Sequence, residues 1–211
     1  MTPKDFAKKC PKLLHLTRTE ALPLIREHGL LTASDLCRLF EVEYYRQAGI
    51  LSSRRPKNIK LEHEVHGTVV ISDNTPLYLG SLEKCLEDGL TTEDWLQILN
   101  KRVFFFSKEK DLKVLAAGQG HREVAHLILE INTLSFVKDY ITQISVAAIN
   151  TGSAKRKAPH RGLATFAPLE TLDFDAWKYS RGNVKPDYPK EVSVLGSIPN
   201  IFDYVEAVTS L

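Results

Sequence analysis

The chain has 211 residues, 43% of them hydrophobic and 26% charged, the balance of an ordinary globular protein long enough for one sizeable core. Lys and Arg number 28 against 26 Asp and Glu, so the net charge of +2 excludes a global field that would by itself hold nucleic acid, and any basic patch must be local. The three cysteines, Cys10, Cys37 and Cys85, lack CxxC spacing and point to neither a disulfide framework nor a zinc cluster; no apolar run nears the roughly 20 residues that cross a bilayer. With no apolar core in the leading MTPKDFAKKCPK, the expectation is a cytoplasmic protein without membrane contact, forming one domain over residues 1–211.

Lys12 to Leu31 opens the fold. Leu13, Leu14 and Leu16 surround His15 in a run too short for a helix and too apolar for a surface loop, which predicts a buried strand carrying one histidine. Thr17 and Thr19 both suit a helix cap, and Thr19 is preferred because it leaves Pro23 in the first turn, where a missing N–H is harmless. Ala21, Leu22, Leu24 and Ile25 then make one apolar face, and Gly29 supplies the left-handed residue that ends the helix. Ser34 predicts the cap of a second helix with Leu36, Cys37, Leu39, Phe40 and Tyr44 on its apolar face, ending before Gly49. The stretch ILSSRRPKNIKLEHEVHGTVVISDNTPL reads as an extended loop with short strands at 59–61 and 68–71. His63 and His66 lie there beside Glu62 and Glu64, but with no third ligand near them in sequence they predict no metal.

Apolar residues return at helical spacing from Leu77 to Cys85 and from Thr92 to Leu99, with Gly89 between the two helices and Trp95 anchoring the second. RVFFFS, at 102–107, is a strand with Phe104 and Phe106 on one face and Phe105 on the other. A helix over 111–117, a buried strand over 125–131, a short helix over 134–139 and a strand over 144–149 follow. NTGSAKRKAPHR then changes character: Lys155, Arg156, Lys157 and Arg161 predict a basic loop that is either solvated or meets phosphates. Leu169, Leu172, Phe174 and Trp177 return to the core. A basic, proline-containing stretch precedes a strand from Glu191 to Val194, and Tyr204 to Val208 can close the sheet at its edge.

The apolar-His-apolar-Thr strand at His15, with a helix containing Leu22-Pro23 and closing on Gly29-Leu30-Leu31, resembles the opening of ADP-ribosyltransferases of the DarT-like type. RVFFF and KEVSVLGSIPNIF are similar to later strands of that family and follow in the same order. In DarT-like proteins a strand of the last form carries the catalytic glutamate, which implies that role for Glu191. The resemblance also implies that His15 holds NAD, that backbone groups of Leu16 and Thr17 hold the nicotinamide amide, that Phe105 stacks on the ring, and that a functional arginine stands at Arg54 or Arg55. Related enzymes commonly have a tyrosine where Phe104, Phe105 and Phe106 stand, so stacking is kept and a phenolic hydroxyl is lost. INTGS, DFDAW and the turn after Glu191 resemble an uncharacterised bacterial domain family of this type.

Breaking the bond between nicotinamide and ribose creates an oxocarbenium-like centre, and a carboxylate near the ribose can hold its 2′-hydroxyl, support the developing charge or assist the nucleophile. The fold implied is α+β: an ADP-ribosyltransferase-like split, mainly antiparallel β-sheet surrounded by helices. NAD is then a co-substrate, no metal is needed, and the acceptor is DNA, RNA or a nucleotide met by Lys155, Arg156, Lys157 and Arg161. Two other readings share the fold. One is a non-catalytic nucleotide- or partner-binding protein; the other is an RNA 2′-phosphotransferase, which would depend on Arg54 or Arg55 more than on Glu191.

Overall fold

The alternation in KLLHLTR and in HLILEIN becomes full strand pairing in the computed structural model, which describes residues 1–118, 121, 124–155, 157–180 and 188–211. Helix α1 (Pro3–Lys9) is capped by Thr2, whose Oγ1 accepts from the Asp5 N–H, and it buries Phe6. Strand β1 (Lys12–Arg18) leads through a 3₁₀ turn at Thr19–Ala21 into α2 (Leu22–His28). Thr19 thus opens the turn and does not cap the helix: α2 starts at Leu22 with no side-chain cap, and Pro23 still lies in its first turn.

The predicted second helix is two. Thr32, and not Ser34, caps α3 (Ala33–Leu39), accepting from the Asp35 N–H. The chain then breaks at Glu41, whose φ of 48° no helix accommodates, and resumes as α4 (Tyr44–Ser52) with Tyr44 exposed. Val42, buried in the break, takes the place expected for Tyr44. A hairpin of β2 (Ile59–His63) and β3 (Gly67–Ile71) follows, then α5 (Leu79–Glu83), α6 (Thr92–Asn100), β4 (Arg102–Phe106) and α7 (Glu109–Ala116). The chain continues through β5 (His126–Asn132), α8 (Thr133–Tyr140), β6 (Ile144–Ala147), β7 (Ala167–Pro168), α9 (Phe174–Ser180), β8 (Glu191–Leu195) and β9 (Val205–Ser210).

Among the described residues these strands form a seven-stranded antiparallel sheet in the order β7-β6-β8-β4-β1-β5-β9, with β2 and β3 as a separate pair. The architecture is therefore α+β and mainly antiparallel, with β9 on an edge as the sequence suggests. One face of the sheet buries Leu13, Phe105, Leu129, Ile131, Val146, Val192 and Val194 with Phe6 of α1 and Phe136 of α8. The other face packs Phe106 and Ile128 on Leu112 of α7, and Phe104 on a cluster built around Trp95 of α6 and Phe166. The β2–β3 hairpin has its own core with α3, α4 and Leu24 of α2. No helix among the described residues is long and apolar enough to cross a membrane.

The sheet is split. Among the described residues β1 pairs with β5 from Lys12 to Arg18, yet its register with β4 is limited to Leu14 opposite Phe106. Past that rung β1 and β4 separate, dividing the sheet into halves of three and four strands. Gly29, at φ 76°, ends α2 against the turn after β8, where Leu30 and Ile198 exchange backbone hydrogen bonds. A Cβ at Gly29 would lie 2.1 Å from the Ile198 carbonyl oxygen and 2.5 Å from Pro199 Cα. Gly29→Ala is expected to cost about 2 kcal/mol or more and to lower the melting temperature by at least about 5 °C. Gly49→Ala, in α4 with nothing within 4 Å of its would-be Cβ, should leave it unchanged or raise it slightly. Calorimetry of the two variants checks the pair.

Candidate functional site

His15, Phe105 and Glu191 stand on β1, β4 and β8, three adjacent strands. Glu191 is in register with Phe106 on one side and Ala147 on the other, so Leu14, Phe106, Glu191 and Ala147 form one row. His15 follows Leu14 at the point where the sheet opens. Its Nδ1 donates to the Phe104 carbonyl oxygen at 2.9 Å, supplying a partner that a continued ladder would have provided. Burial lowers the His15 pKa below the usual histidine value, so the ring is neutral and its Nε2 is an acceptor. Two strand spacings, about 10 Å, separate the His15 strand from that of Glu191.

Glu191 is 5% exposed. Its Oε2 accepts both from the Thr151 hydroxyl at 2.7 Å and from the Thr151 N–H at 3.1 Å; Oε1 takes neither bond. Burial pushes its pKa up to about 7, against the Thr151 bonds and, more weakly, the charges of Lys190 and Arg161. The loop that brings Thr151 there is itself held. Arg161 Nη1 donates to the carbonyl oxygens of Thr151 at 3.2 Å and Ser153 at 2.9 Å, and Trp95 Nε1 donates to the Thr151 carbonyl oxygen at 3.3 Å. The Arg161 guanidinium lies 5.8 Å from the Trp95 ring, and one of its buried nitrogens, Nη2, has no hydrogen-bond partner. A carboxylate that titrates near neutrality, one oxygen fixed and the other not, is suited to hold a sugar hydroxyl or receive a proton.

Other predicted site residues are placed differently. Phe105 is fully buried between His15, at 5.5 Å between ring centroids, and Phe136, at 5.4 Å, so strand parity directs it into the core and denies it an open face for stacking. Leu16 packs toward the Phe106–Leu112 cluster, and Thr17 pairs with Leu127 of β5; both are half-buried. Arg55 is buried and donates to the carbonyl oxygens of Ser72 and Ile50 and to Asn100 Oδ1. Arg54 donates to Leu77 and Thr75 carbonyl oxygens and lies over Tyr78. These bonds make both arginines staples of the loop before α5. A surface cavity of about 210 Å³ between α4 and α6, lined in part by Tyr44, Gln97 and Asn100, holds none of the predicted site residues.

In the basic loop Lys155 and Lys157 are exposed as expected, and Arg156 lies outside the described residues. Arg161 is corrected: at 1% exposure it cannot meet a nucleic-acid phosphate, and it turns inward because three backbone carbonyls, those of Thr151, Ser153 and Pro159, accept from it. Sequence reasoning missed Thr151 and Arg161 as supports of Glu191. The INTGS motif was visible, but nothing in its spacing links it to a residue 40 positions later.

The family described as a family of unknown function, DUF7002, matches residues 11–205. No curated protein matches the chain. Because Glu191 titrates near pH 7 when folded and near 4.5 as an ordinary carboxyl, the native state holds the extra proton between those values. The stability contributed by this group is therefore greatest below about 4.5, falls as pH rises toward 7, and is level above. Glu191→Gln removes that slope; in urea titrations at about pH 5 and about pH 8 the wild type should lose up to the order of 3 kcal/mol that the variant keeps. Equal pH dependence in both proteins would contradict the placement of Glu191.

Proposed function

The chain belongs to the DUF7002 family of unknown function, and we propose from its geometry that it is an NAD-dependent mono-ADP-ribosyltransferase. The observation that carries this reading is the meeting of the His15 strand, the aromatic strand and the Glu191 strand as neighbours, with the sheet opening beside His15. These are the three segments whose order along the chain resembles DarT-like enzymes, and they lie more than 170 residues apart from first to last. The split gives a substrate access to main-chain groups that regular pairing would have consumed.

In this reading His15 Nε2 accepts from a ribose hydroxyl while its Nδ1 stays bonded to Phe104. Glu191 Oε1 accepts from the 2′-hydroxyl, and its charge stabilises the oxocarbenium-like centre as the bond to nicotinamide breaks. Nicotinamide leaves with the electron pair of that bond and becomes neutral. The acceptor forms the new bond to the anomeric carbon and yields its proton to Glu191 or to water. Arg161 and Trp95 act through Thr151 as positioning residues. Ring stacking cannot use Phe105, so the nicotinamide is held by backbone groups near Leu16 and Thr17. The exposed Lys155 and Lys157 stand a few residues from Thr151, which favours an anionic acceptor such as a nucleic acid or nucleotide. The occupation of Arg54 and Arg55 by main-chain carbonyls weighs against the phosphotransferase reading.

Nicotinamide release from NAD, measured with single-stranded DNA, RNA, free nucleotides or protein supplied in turn, is the test. Release should depend on one acceptor class and fall at least about a hundredfold in Glu191→Gln. Release unchanged by that substitution, or no release and no NAD binding, overturns the proposal. A second expectation concerns pH: the rate should rise through about pH 7, and Thr151→Val, which removes a donor to the carboxylate, should move the midpoint upward. A pH-rate profile of the two proteins measures it.

A further inference from the structure

His28 ends α2 and His66 lies in the turn of the β2–β3 hairpin, 38 positions apart, yet their rings meet edge to face with centroids 5.0 Å apart. His28 Nε2 and His66 Nδ1 are both buried and neither has a hydrogen-bond partner. Two orphaned imidazole nitrogens at one place are costly unless something fills the space between them. Glu27 stands beside them, its Oε1 3.5 Å from His28 Nε2, and one ligand atom from each of the three lies within 4.8 Å of the other two.

We propose that Glu27, His28 and His66 form a site for a divalent transition-metal ion. Two nitrogen donors and one carboxylate select zinc, cobalt or nickel over magnesium or calcium, which prefer oxygen. A tetrahedral ion at about 2.1 Å from each donor needs donor separations of about 3.4 Å. Rotation of the exposed Glu27 side chain, with a small approach of the rings, closes that gap. The remaining coordination position is left to water. Both histidines bind as neutral rings, so each keeps its proton on the nitrogen that faces away from the ion.

His63 is a positioning residue for this site. Its Nδ1 accepts from the N–H groups of Val65 at 3.2 Å and His66 at 3.4 Å, which fixes the turn that presents His66, and its ring stacks on that of His66 at 4.7 Å. The Phe40 ring, 6.0 Å from His66, gives the site an apolar wall. An ion bound there joins α2 to the hairpin through three side chains, adding to the apolar packing of Leu24 on the hairpin's core.

The experiment is titration of the chelator-stripped full chain with zinc chloride and cobalt chloride by calorimetry, with thermal melting alongside. One ion per chain is expected, with a melting temperature raised by about 5–10 °C at a hundredfold excess over Kd. His28→Ala and His66→Ala should each weaken binding more than about a hundredfold, and His63→Ala less. His160→Ala, an exposed histidine paired with Glu87, should change nothing. Glu27→Gln carries the test should a histidine variant fail to fold, since Glu27 is exposed; it should weaken binding about tenfold. Absence of stoichiometric binding, or binding that His28→Ala and Glu27→Gln leave intact, overturns the proposal.

Discussion

The separation of β1 from β4 after the Leu14–Phe106 rung is the constraint on which the rest of the structure depends. Two strands that part inside a sheet leave main-chain groups facing each other across a gap, and each buried group without a partner costs roughly 1–3 kcal/mol. His15 meets one of those demands with a side chain, through its bond to the Phe104 carbonyl. The gap does not collapse because Phe105 and Phe136 fill the layer beneath it, and β5 holds β1 along its whole length from the other side. A histidine in that position is therefore structural: its Nδ1 closes the sheet where the backbone ladder stops.

Glu191 shows the opposite economy. A buried carboxylate loses several kcal/mol of hydration, and two donors from Thr151 restore only part of it. Arg161 is engaged with the carbonyls of the same loop as Thr151, and its charge, like that of Lys190, favours the ionised carboxylate only weakly. The outcome is a carboxyl whose pKa burial pushes up to about 7. The same face of the sheet continues the polar character: Ser193 lies two residues along β8, opposite Ser145, and takes a long contact from Arg102. Alternation in EVSVL thus sends two valines to the core and a polar pair to the other face.

Much of this was legible. KLLHL, RVFFF and EVSVL announce themselves as strands because their apolar and β-branched residues recur at a spacing only a buried strand explains, and Gly29 marks its helix end by a conformation few other residues adopt. What escaped notice depends on partners distant in sequence. NTGSAKRKAPHR has the composition of a solvated loop, and the inward turn of Arg161 follows from the carbonyls it meets, which composition does not encode. A functional arginine at Arg54 or Arg55 is implied by the family resemblance alone; here main-chain carbonyls of their own loop and Asn100 at the end of α6 take both guanidinium groups. The break at Glu41 left no signal, since Glu-Val-Glu fits a helix as well as a corner. The neighbour that His66 meets, His28 of α2, stands 38 positions away, and local spacing around His63 and His66 does not reveal it.

The position of β8 has a consequence for biosynthesis. This strand is inserted between β4 and β6 in the middle of the sheet, although the ribosome makes it after both, and its following turn docks on Leu30 near the start of the chain. Until residues 191–198 have emerged, β4 and β6 each lack a partner on the edge that faces the vacancy. A chain that lacks β8 therefore carries an incomplete sheet with unpaired inner edges, exposed to aggregation, and the row of Leu14, Phe106, Glu191 and Ala147 forms only when that strand is in place.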